Sequence, residues 1–358
     1  VVGRHDSNGD PLRPSRLLFT GSREEVARRV LSFTQGEPPS PDEPAIPPLG
    51  IEAAPVTGFS LPPDSRVAVA EIPQPFPVTW FRSFLQNPYL WALEKSLGIQ
   101  EAADGAQEMD GGAFGDLAHR VLERFSGESA KEPEPGDVVS ERLSKLLDHE
   151  AGLRFGADVV PAVRIQIEQL RTRLKAFAKW HVDHLEAGWT VVATEARTKP
   201  DGAPFLVDGR AFLLSGRIDR IDYHPTLDEW MVLDFKTGDT TGTPRREHGG
   251  KGRWKDLQLP LYRHLLEHLL EPLPGFDDNQ TVSTGYVRLS KTTGENHLAA
   301  ADWTMDELED ADETACAVIR ELWNRSEVTH DPSDRLPRLV GSMELLLGQR
   351  TLLPHDPE

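Results

Sequence analysis

Apolar residues follow a helical period through much of the first half of the chain. In FGDLAHRVLERF (114–125) they recur every three or four residues and fall on one face of a helix. The same period continues through 137–187, which predicts further helices. Upstream, VTWFRSFLQNPYLWALEKSLGI (78–99) predicts two short helices broken at Pro88, because the residue before a proline disfavours the helical conformation.

The pattern becomes strand-like after Gly188, where short β-rich runs are separated by turns rich in Pro, Gly and Asp. The predicted strands are 189–198, 211–224, 229–238 and 282–290, and the predicted helices among them are 257–270 and 306–325. Helices that lead into several strands, followed by another helix and strand, predict an α/β fold. We expect a mixed β-sheet flanked by helices, with a helical lead-in.

Both ends of the chain differ from this central part. Ser22 is the predicted N-cap of a helix over 22–33, with Glu25 three residues later. The segment from Pro38 to Pro63 is rich in proline, which predicts an extended linker or surface strap. Beyond 326 the pattern predicts loops with one short helix. The chain does not begin with Met, which suggests a fragment of a longer protein.

Composition excludes several classes of protein. The sequence has no run of about 18 apolar residues, so no membrane span is predicted. The first residues also lack the pattern of a signal peptide. Cys316 is the single cysteine, so an internal disulfide and a metal site built on several thiolates are excluded. A lone cysteine suits a reducing compartment, and we expect a cytoplasmic protein.

The formal net charge of −19 at first argues against a nucleic-acid partner. However, a divalent-cation site needs carboxylates, and a DNA channel needs only local basic character. Two basic stretches supply it: Arg171, Arg173, Lys175 and Lys179, then Arg245, Arg246, Lys251, Arg253 and Lys255. Ordinary solvated charge explains the first stretch equally well. The DNA-binding candidates are Arg245, Arg246, Lys251 and Arg253.

The segment SGRIDRIDYHPTLDEWMVLDFKTG (215–238) carries the predicted chemistry. Asp234 and Lys236 are two residues apart in a strand, so both side chains leave the same face. Asp219 lies in the preceding strand, and a hairpin would bring it close to Asp234 at one edge of the sheet. Paired carboxylates can hold Mg²⁺, while a lysine can orient the attacking water during phosphodiester hydrolysis. A surface Asp–Lys pair is the alternative interpretation.

His119 lies on the 114–125 helix, about 130° from the centre of its apolar face. A core histidine is therefore not expected at this position. If the helix packs across the edge of the sheet, His119 can be a third metal ligand. A solvent-facing histidine is the alternative.

Four motifs in order resemble the RecB-like branch of the PD-(D/E)xK nucleases, found at the C-termini of RecB- and AddB-type helicase–nuclease subunits. They are FGDLAHRVLERF, GRIDRID, VLDFKTG and LQLPLY, and the resemblance covers roughly 76–325. It implies a restriction-endonuclease-like fold. It also implies that His119, Asp219, Asp234 and the carbonyl of Phe235 bind the divalent ion, and that Lys236 assists the nucleophile.

The same resemblance extends to less specific positions. Gln258 and Tyr262 are implied to line the active site or to contact a backbone phosphate, although helix packing and capping explain them equally well. Glu195 resembles the strand glutamate of these nucleases, or is an exposed strand residue. Asn87 stands where the iron–sulfur subfamily often carries cysteine, so no cluster is expected.

The resemblance implies a Mg²⁺-dependent deoxyribonuclease similar to exonuclease V, in which Mn²⁺ can substitute. DNA and a helicase subunit or domain are the implied partners, in end resection and recombinational repair. The expected organisation is an N-terminal helix and linker (1–75), a helical part (76–187), a catalytic core (188–325) and a tail (326–358). The alternatives are an inactive nuclease-like scaffold that grips DNA and a hydrolase of another small phosphoester.

Overall fold

A computed structural model gives the fold of most of the chain. The residues that it describes are 22, 24–28, 66–69, 72–96, 98, 108–129, 134–156, 159–238, 242–277, 279–289, 297–325 and 327–329. The predicted strap over 38–63 and the predicted helix in the tail lie outside them. Residues 24–28 form a helix, α1, and the backbone N–H groups of Ser22 and Glu25 each donate to the other's side chain. The predicted cap is confirmed.

A five-stranded sheet forms the centre of the structure. In spatial order its strands are β3 (Thr190–Arg197), β6 (Arg217–His224), β7 (Glu229–Lys236), β8 (Thr281–Arg288) and β9 (Leu298–Ala300). Strands β7 and β8 are parallel, and the other neighbours are antiparallel. The predicted α/β fold with a mixed sheet flanked by helices is therefore confirmed.

Two smaller sheets complete the strand content of the described residues. One contains β2 (Phe76–Pro77), β5 (Arg210–Ser215) and β4 (Ala203–Val207), and the other pairs β1 (Arg66–Ala68) with β10 (Glu327–Thr329). The strand predicted over 211–224 is two strands, β5 and β6, which belong to different sheets and separate at Gly216. A side chain there would meet Leu265, because an added Cβ would lie 2.6 Å from that leucine's Cδ1. Strand β4 was not predicted, because Pro204 weakens the strand signal.

Three long helices cover one face of the central sheet: α4 (Gly111–Ser129), α5 (Gly136–Phe155) and α6 (Pro161–Glu186). Their apolar faces form one hydrophobic core with Met231, Leu233 and Phe235 of β7. These helices agree with the predicted 114–125 segment and with the periodicity over 137–187. The apolar period therefore identified the face that packs on the sheet.

Among the described residues, six short helical segments and one long helix cover the other face. They are α2 (Trp80–Gln86), α3 (Pro88–Trp91), a π-helical turn (Ala92–Ser96), α7 (Pro244–His248), α8 (Gln258–Tyr262), a 3₁₀ helix (Arg263–His268) and α9 (Met305–Asn324). The predicted break at Pro88 is confirmed, and Asn87 caps α3 by accepting the Leu90 N–H at 2.8 Å. The helix predicted over 257–270 is α8 followed by the 3₁₀ helix. Trp230 and Val232 face this second core, so β7 is buried on both faces.

A charged network is buried between α6 and β6. The Arg220 guanidinium donates to both oxygens of Asp222 at 2.8 and 2.9 Å, and His184 Nε2 lies 2.9 Å from the same carboxylate. Burial opposes the charge of Asp222, but Arg220 and His184 outweigh it and lower the pKa of this carboxyl. Among the helices that the structure describes, none combines the length and apolar character that crossing a membrane requires.

Replacing Arg220 with Met is expected to lower the free energy of unfolding by about 3–5 kcal/mol, because it leaves the buried Asp222 charge without its main partner. Urea unfolding measures this loss. Lys145→Met is the matched control, since Lys145 pairs with Glu141 on the exposed face of α5 and should cost far less. A loss as small as that of the control would contradict the structural role of Arg220.

Candidate active site

The site begins where β6 and β7 part. Their pairing ends at Arg220 and Leu233, whereas β7 stays paired with β8 as far as Lys236. The Asp219 carboxylate accepts the N–H of Phe235 at 2.7 Å, which replaces the missing strand partner. Both strands are interior, so the prediction of a site at one edge of the sheet was wrong. The site lies at the end of inner strands.

Glu195 lies opposite Asp219 on the neighbouring strand. The flanking residues Thr194 and Ala196 pair with Arg220 and Ile218, which places Glu195 level with Asp219. Its backbone has φ of 50°, a left-handed conformation that costs a non-glycine residue of order 1 kcal/mol. The carboxylate lies 2.9 Å from Arg217 Nε. The exposed strand glutamate considered from sequence is not what the structure shows, since its side chain is only 8% exposed.

Helix α4 brings His119 to these carboxylates. Its Nδ1 lies 3.5 Å from Asp219 Oδ1 and 4.0 Å from Glu195 Oε1. The imidazole ring also meets the Phe235 ring edge-on, at 5.9 Å between centroids. The side chain is 24% exposed, so it faces the acidic residues rather than open solvent.

The electrostatic surroundings of His119 favour its protonated form. Burial is the largest influence and opposes the charge, but the nearby carboxylates of Asp219 and Glu195 and the charge of Asp234 outweigh it. Together they raise the pKa of His119 to about 10. A cation is therefore strongly favoured at this position, and a bound metal ion would compete with the proton.

Asp234 and Lys236 form the second half of the site. The Lys236 Nζ lies 2.7 Å from Asp234 Oδ2, and Gln258 Nε2 donates to Asp234 Oδ1 at 2.9 Å. Burial, and next the charge of Asp219, raises the pKa of Asp234 to about 6, which Lys236 offsets only in part. This carboxylate therefore also gains from a nearby cation.

Helix α8 supports Asp234 from the opposite side of the sheet to His119. Tyr262 accepts a hydrogen bond from Gln258 and donates its own proton to the Arg217 carbonyl at 3.0 Å. The side chain of Tyr262 is buried, so the phosphate contact considered for it from sequence is not available. Gln258 and Tyr262 instead tie Asp234 to β6.

The donor set fits a divalent metal ion. One ligand atom each from His119, Glu195 and Asp219 lies within 4.8 Å of the others. Within the described part of the chain, His119 Nδ1 is buried without a hydrogen-bond partner of good geometry. The carboxylate oxygens of this set are ligands that Mg²⁺ and Mn²⁺ prefer, and the imidazole nitrogen is a ligand for divalent transition metals. Glu195 thus joins two of the three predicted side-chain ligands, His119 and Asp219, whereas Asp234 lies outside this group. The ligand roles of these residues, and that of the Phe235 carbonyl, remain predictions.

The basic stretches divide into paired and exposed residues. Arg173 is buried and donates to the carbonyls of Thr237 and Leu289, so it supports the strand ends rather than a DNA surface. Arg245 is held by Asp302 at 2.9 Å and by Glu307 at 2.7 Å. The other three DNA-binding candidates are exposed: Arg246, Lys251 and Arg253. Of these, Lys251 Nζ lies 3.8 Å from Asp306 Oδ2.

Two residues near the site were not predicted from the sequence. Tyr286 of β8 pairs with Asp234, and its hydroxyl meets His248 Nε2. Neither belongs to a motif. The parallel register between β7 and β8 brings Tyr286 next to Asp234, and no local pattern encodes that register.

Comparison with known proteins agrees with this geometry. A family model described as the PD-(D/E)XK nuclease superfamily matches residues 76–335, which include every residue of the site. No curated protein matches the chain.

The raised pKa of His119 predicts how the stability of the metal-free protein depends on pH. Because the folded-state pKa of about 10 exceeds the ordinary 6.5, the stabilisation is complete below pH 6.5 and is lost as the pH rises to 10. His119→Gln should therefore lower the free energy of unfolding more at about pH 6 than at about pH 10. Urea unfolding with a chelator measures this, with the exposed His149→Gln as control. Equal losses at both pH values would contradict the raised pKa.

Proposed function

The chain belongs to the PD-(D/E)XK nuclease superfamily, and from this premise we propose that it is a divalent-metal-dependent nuclease that hydrolyses DNA phosphodiester bonds. Asp219, Asp234 and Lys236 are its proposed catalytic centre, together with His119. Mg²⁺ is the proposed ion, with Mn²⁺ as a substitute.

The convergence of separate segments carries this proposal. His119 comes from α4, Asp219 from β6 and Asp234 from β7, yet His119 Nδ1 lies 3.5 Å from Asp219 Oδ1, and Asp219 accepts the N–H of Phe235, the residue next to Asp234. A surface Asp–Lys pair does not account for this arrangement, because both aspartates are 4% exposed. Buried carboxylates around a histidine are costly unless a cation offsets their charge.

Each residue has a distinct proposed part in hydrolysis. His119, Asp219 and Asp234 hold the ion, and Glu195 is a further ligand. When bound, the ion neutralises phosphate charge and lowers the pKa of the attacking water. The ammonium of Lys236 orients that water and stabilises the negative charge that develops on the phosphate. Gln258 fixes the orientation of Asp234 through its amide N–H.

The biological setting is proposed on sequence motifs. The order of FGDLAHRVLERF, GRIDRID, VLDFKTG and LQLPLY resembles RecB- and AddB-type nuclease domains. We therefore place this domain beside a helicase that feeds it single strands, with exonuclease V-like activity in end resection and recombinational repair. The helical part over 76–187 and the core over 188–325 are its proposed organisation. No iron–sulfur cluster is expected, since Asn87 replaces the cysteine of that subfamily.

The purified chain is expected to degrade linear single-stranded DNA with Mg²⁺ or Mn²⁺. Lys236→Ala should reduce the cleavage rate by about 10²-fold or more, because the ammonium no longer stabilises the developing charge. Release of labelled nucleotides measures the rate, and thermal melting checks the fold. Lys145→Ala, on the exposed face of α5 and outside both basic stretches, is the matched control. If the DNA stays intact after long incubation with Mg²⁺ and also with Mn²⁺, the alternative function of an inactive nuclease-like scaffold would be favoured.

The affinity for single-stranded DNA is expected to fall as salt rises, because phosphate binding releases counterions. Replacing Arg246, Lys251 and Arg253 with Gln should make the negative slope of log affinity against log salt shallower, by about 0.7 for each phosphate that is no longer neutralised. Arg245 is left intact because it anchors the loop to Glu307. Fluorescence anisotropy with a chelator measures the slope. An unchanged slope would place the DNA path elsewhere.

A further inference from the structure

Two buried polar residues lie beside Lys236 and have no part in the proposed hydrolysis. Tyr286 is 2% exposed and His248 is fully buried. Tyr286 pairs with Asp234 across the parallel strands β7 and β8. Its hydroxyl meets His248 Nε2, and His248 comes from α7, 38 residues away along the chain.

The hydrogen bonds of His248 fix the direction of this contact. Its Nδ1 lies 3.1 Å from the backbone carbonyl of Asp256, which can only accept. The proton of the neutral ring therefore lies on Nδ1, and Nε2 accepts from the hydroxyl of Tyr286. Burial, the largest influence, lowers the pKa of His248 and agrees with a neutral ring. His248 thus holds the hydroxyl end of the Tyr286 ring.

The held ring presents its face to the ammonium of Lys236. The Nζ lies 4.9 Å from the ring centroid of Tyr286, within the range of a cation–π interaction. On its other side the ammonium lies 2.7 Å from Asp234 Oδ2. Lys236 therefore has two anchors, a carboxylate and an aromatic face.

These contacts form a closed ring that returns to Asp234. The Asp256 carboxylate accepts the N–H of Gln258 at 2.9 Å, and the Gln258 side chain donates to Asp234 at 2.9 Å. The ring of contacts then passes through Lys236, Tyr286 and His248 back to Asp256. One buried framework therefore sets the positions of both Asp234 and Lys236.

Resting on the proposed function, we propose that Tyr286 and His248 are positioning residues that hold the Lys236 ammonium at the reaction site. The Asp234 carboxylate pairs with Lys236 and is also a proposed metal ligand. A bound ion would therefore compete with Lys236 for this carboxylate. The aromatic face is an anchor for which a metal ion does not compete. Because Tyr286 is buried, it acts through Lys236 and not by contact with DNA.

Single-stranded DNA cleavage by four variants tests the role of the ring. Tyr286→Leu removes the aromatic face and should lower kcat about tenfold, with KM within about twofold. Tyr286→Phe keeps the face but loses the hydrogen bond to His248, so it should lower kcat by less than Tyr286→Leu does. His248→Leu should resemble Tyr286→Phe, and the double variant Tyr286→Phe/His248→Leu should be no slower than either, because both changes remove the same hydrogen bond.

A second measurement needs no activity and no metal. Lys236→Met and Tyr286→Leu, singly and combined, form a double-mutant cycle in urea unfolding with a chelator. We expect a favourable coupling of about fivefold in the unfolding equilibrium constant. The cycle subtracts the effect of each single variant and leaves the interaction between Lys236 and Tyr286. A general loss of packing in Tyr286→Leu therefore cancels.

The outcomes separate this inference from the proposed function. If the unaltered chain cleaves DNA but Tyr286→Leu keeps kcat within twofold, or raises KM alone, the positioning role is overturned while the nuclease proposal stands. Equal loss in Tyr286→Phe and Tyr286→Leu would also overturn it, because the hydroxyl and not the face would then matter. If the unaltered chain fails to cleave, the nuclease proposal fails, and the unfolding cycle alone decides whether Tyr286 anchors Lys236.

Discussion

Beyond the Arg220–Leu233 pair, β6 and β7 separate while β7 stays paired with β8, and the N–H of Phe235 is left without a strand partner. The Asp219 carboxylate fills that position. A buried N–H that lacks an acceptor is costly, so this hydrogen bond holds the Asp219 carboxylate at the place where a strand carbonyl would otherwise lie. The carboxylate held there lies beside His119 and Glu195, and these three residues can hold a cation.

The rest of the site is built around that opening from both faces of the sheet. Helix α4 contributes His119 from one hydrophobic core, whereas α8 supports Asp234 through Gln258 from the other. Because β7 is buried on both faces, water contributes little to solvating its carboxylate. Burial, and next the charge of Asp219, raises the pKa of Asp234, whereas the neighbouring carboxylates raise the pKa of His119 against the effect of burial. The fold therefore buries carboxylates whose negative charge can be stabilised by positive charge from His119, Lys236 and a metal ion.

Local patterns in the sequence predicted the elements of the site better than their contacts. The helical period gave the position of His119, and the strand period placed Asp234 and Lys236 together. Glu195 could be considered only loosely, because its left-handed backbone is not encoded by a strand pattern. The ion pairs of Arg245 and the burial of Arg173 depend on residues more than 50 positions away, so their charge alone gave no indication of their structural roles.

Anomalous scattering from crystals soaked in Mn²⁺ is the direct test of whether the end of β6 and β7 holds a divalent ion. We predict one strong peak at about 2.2 Å from the side chains of His119 and Asp219, with Glu195 or Asp234 completing the ligands. The peak should disappear in Asp219→Asn crystals. Crystals with no peak at this position, under Mn²⁺ concentrations that support DNA cleavage in solution, would contradict a metal site between these strands.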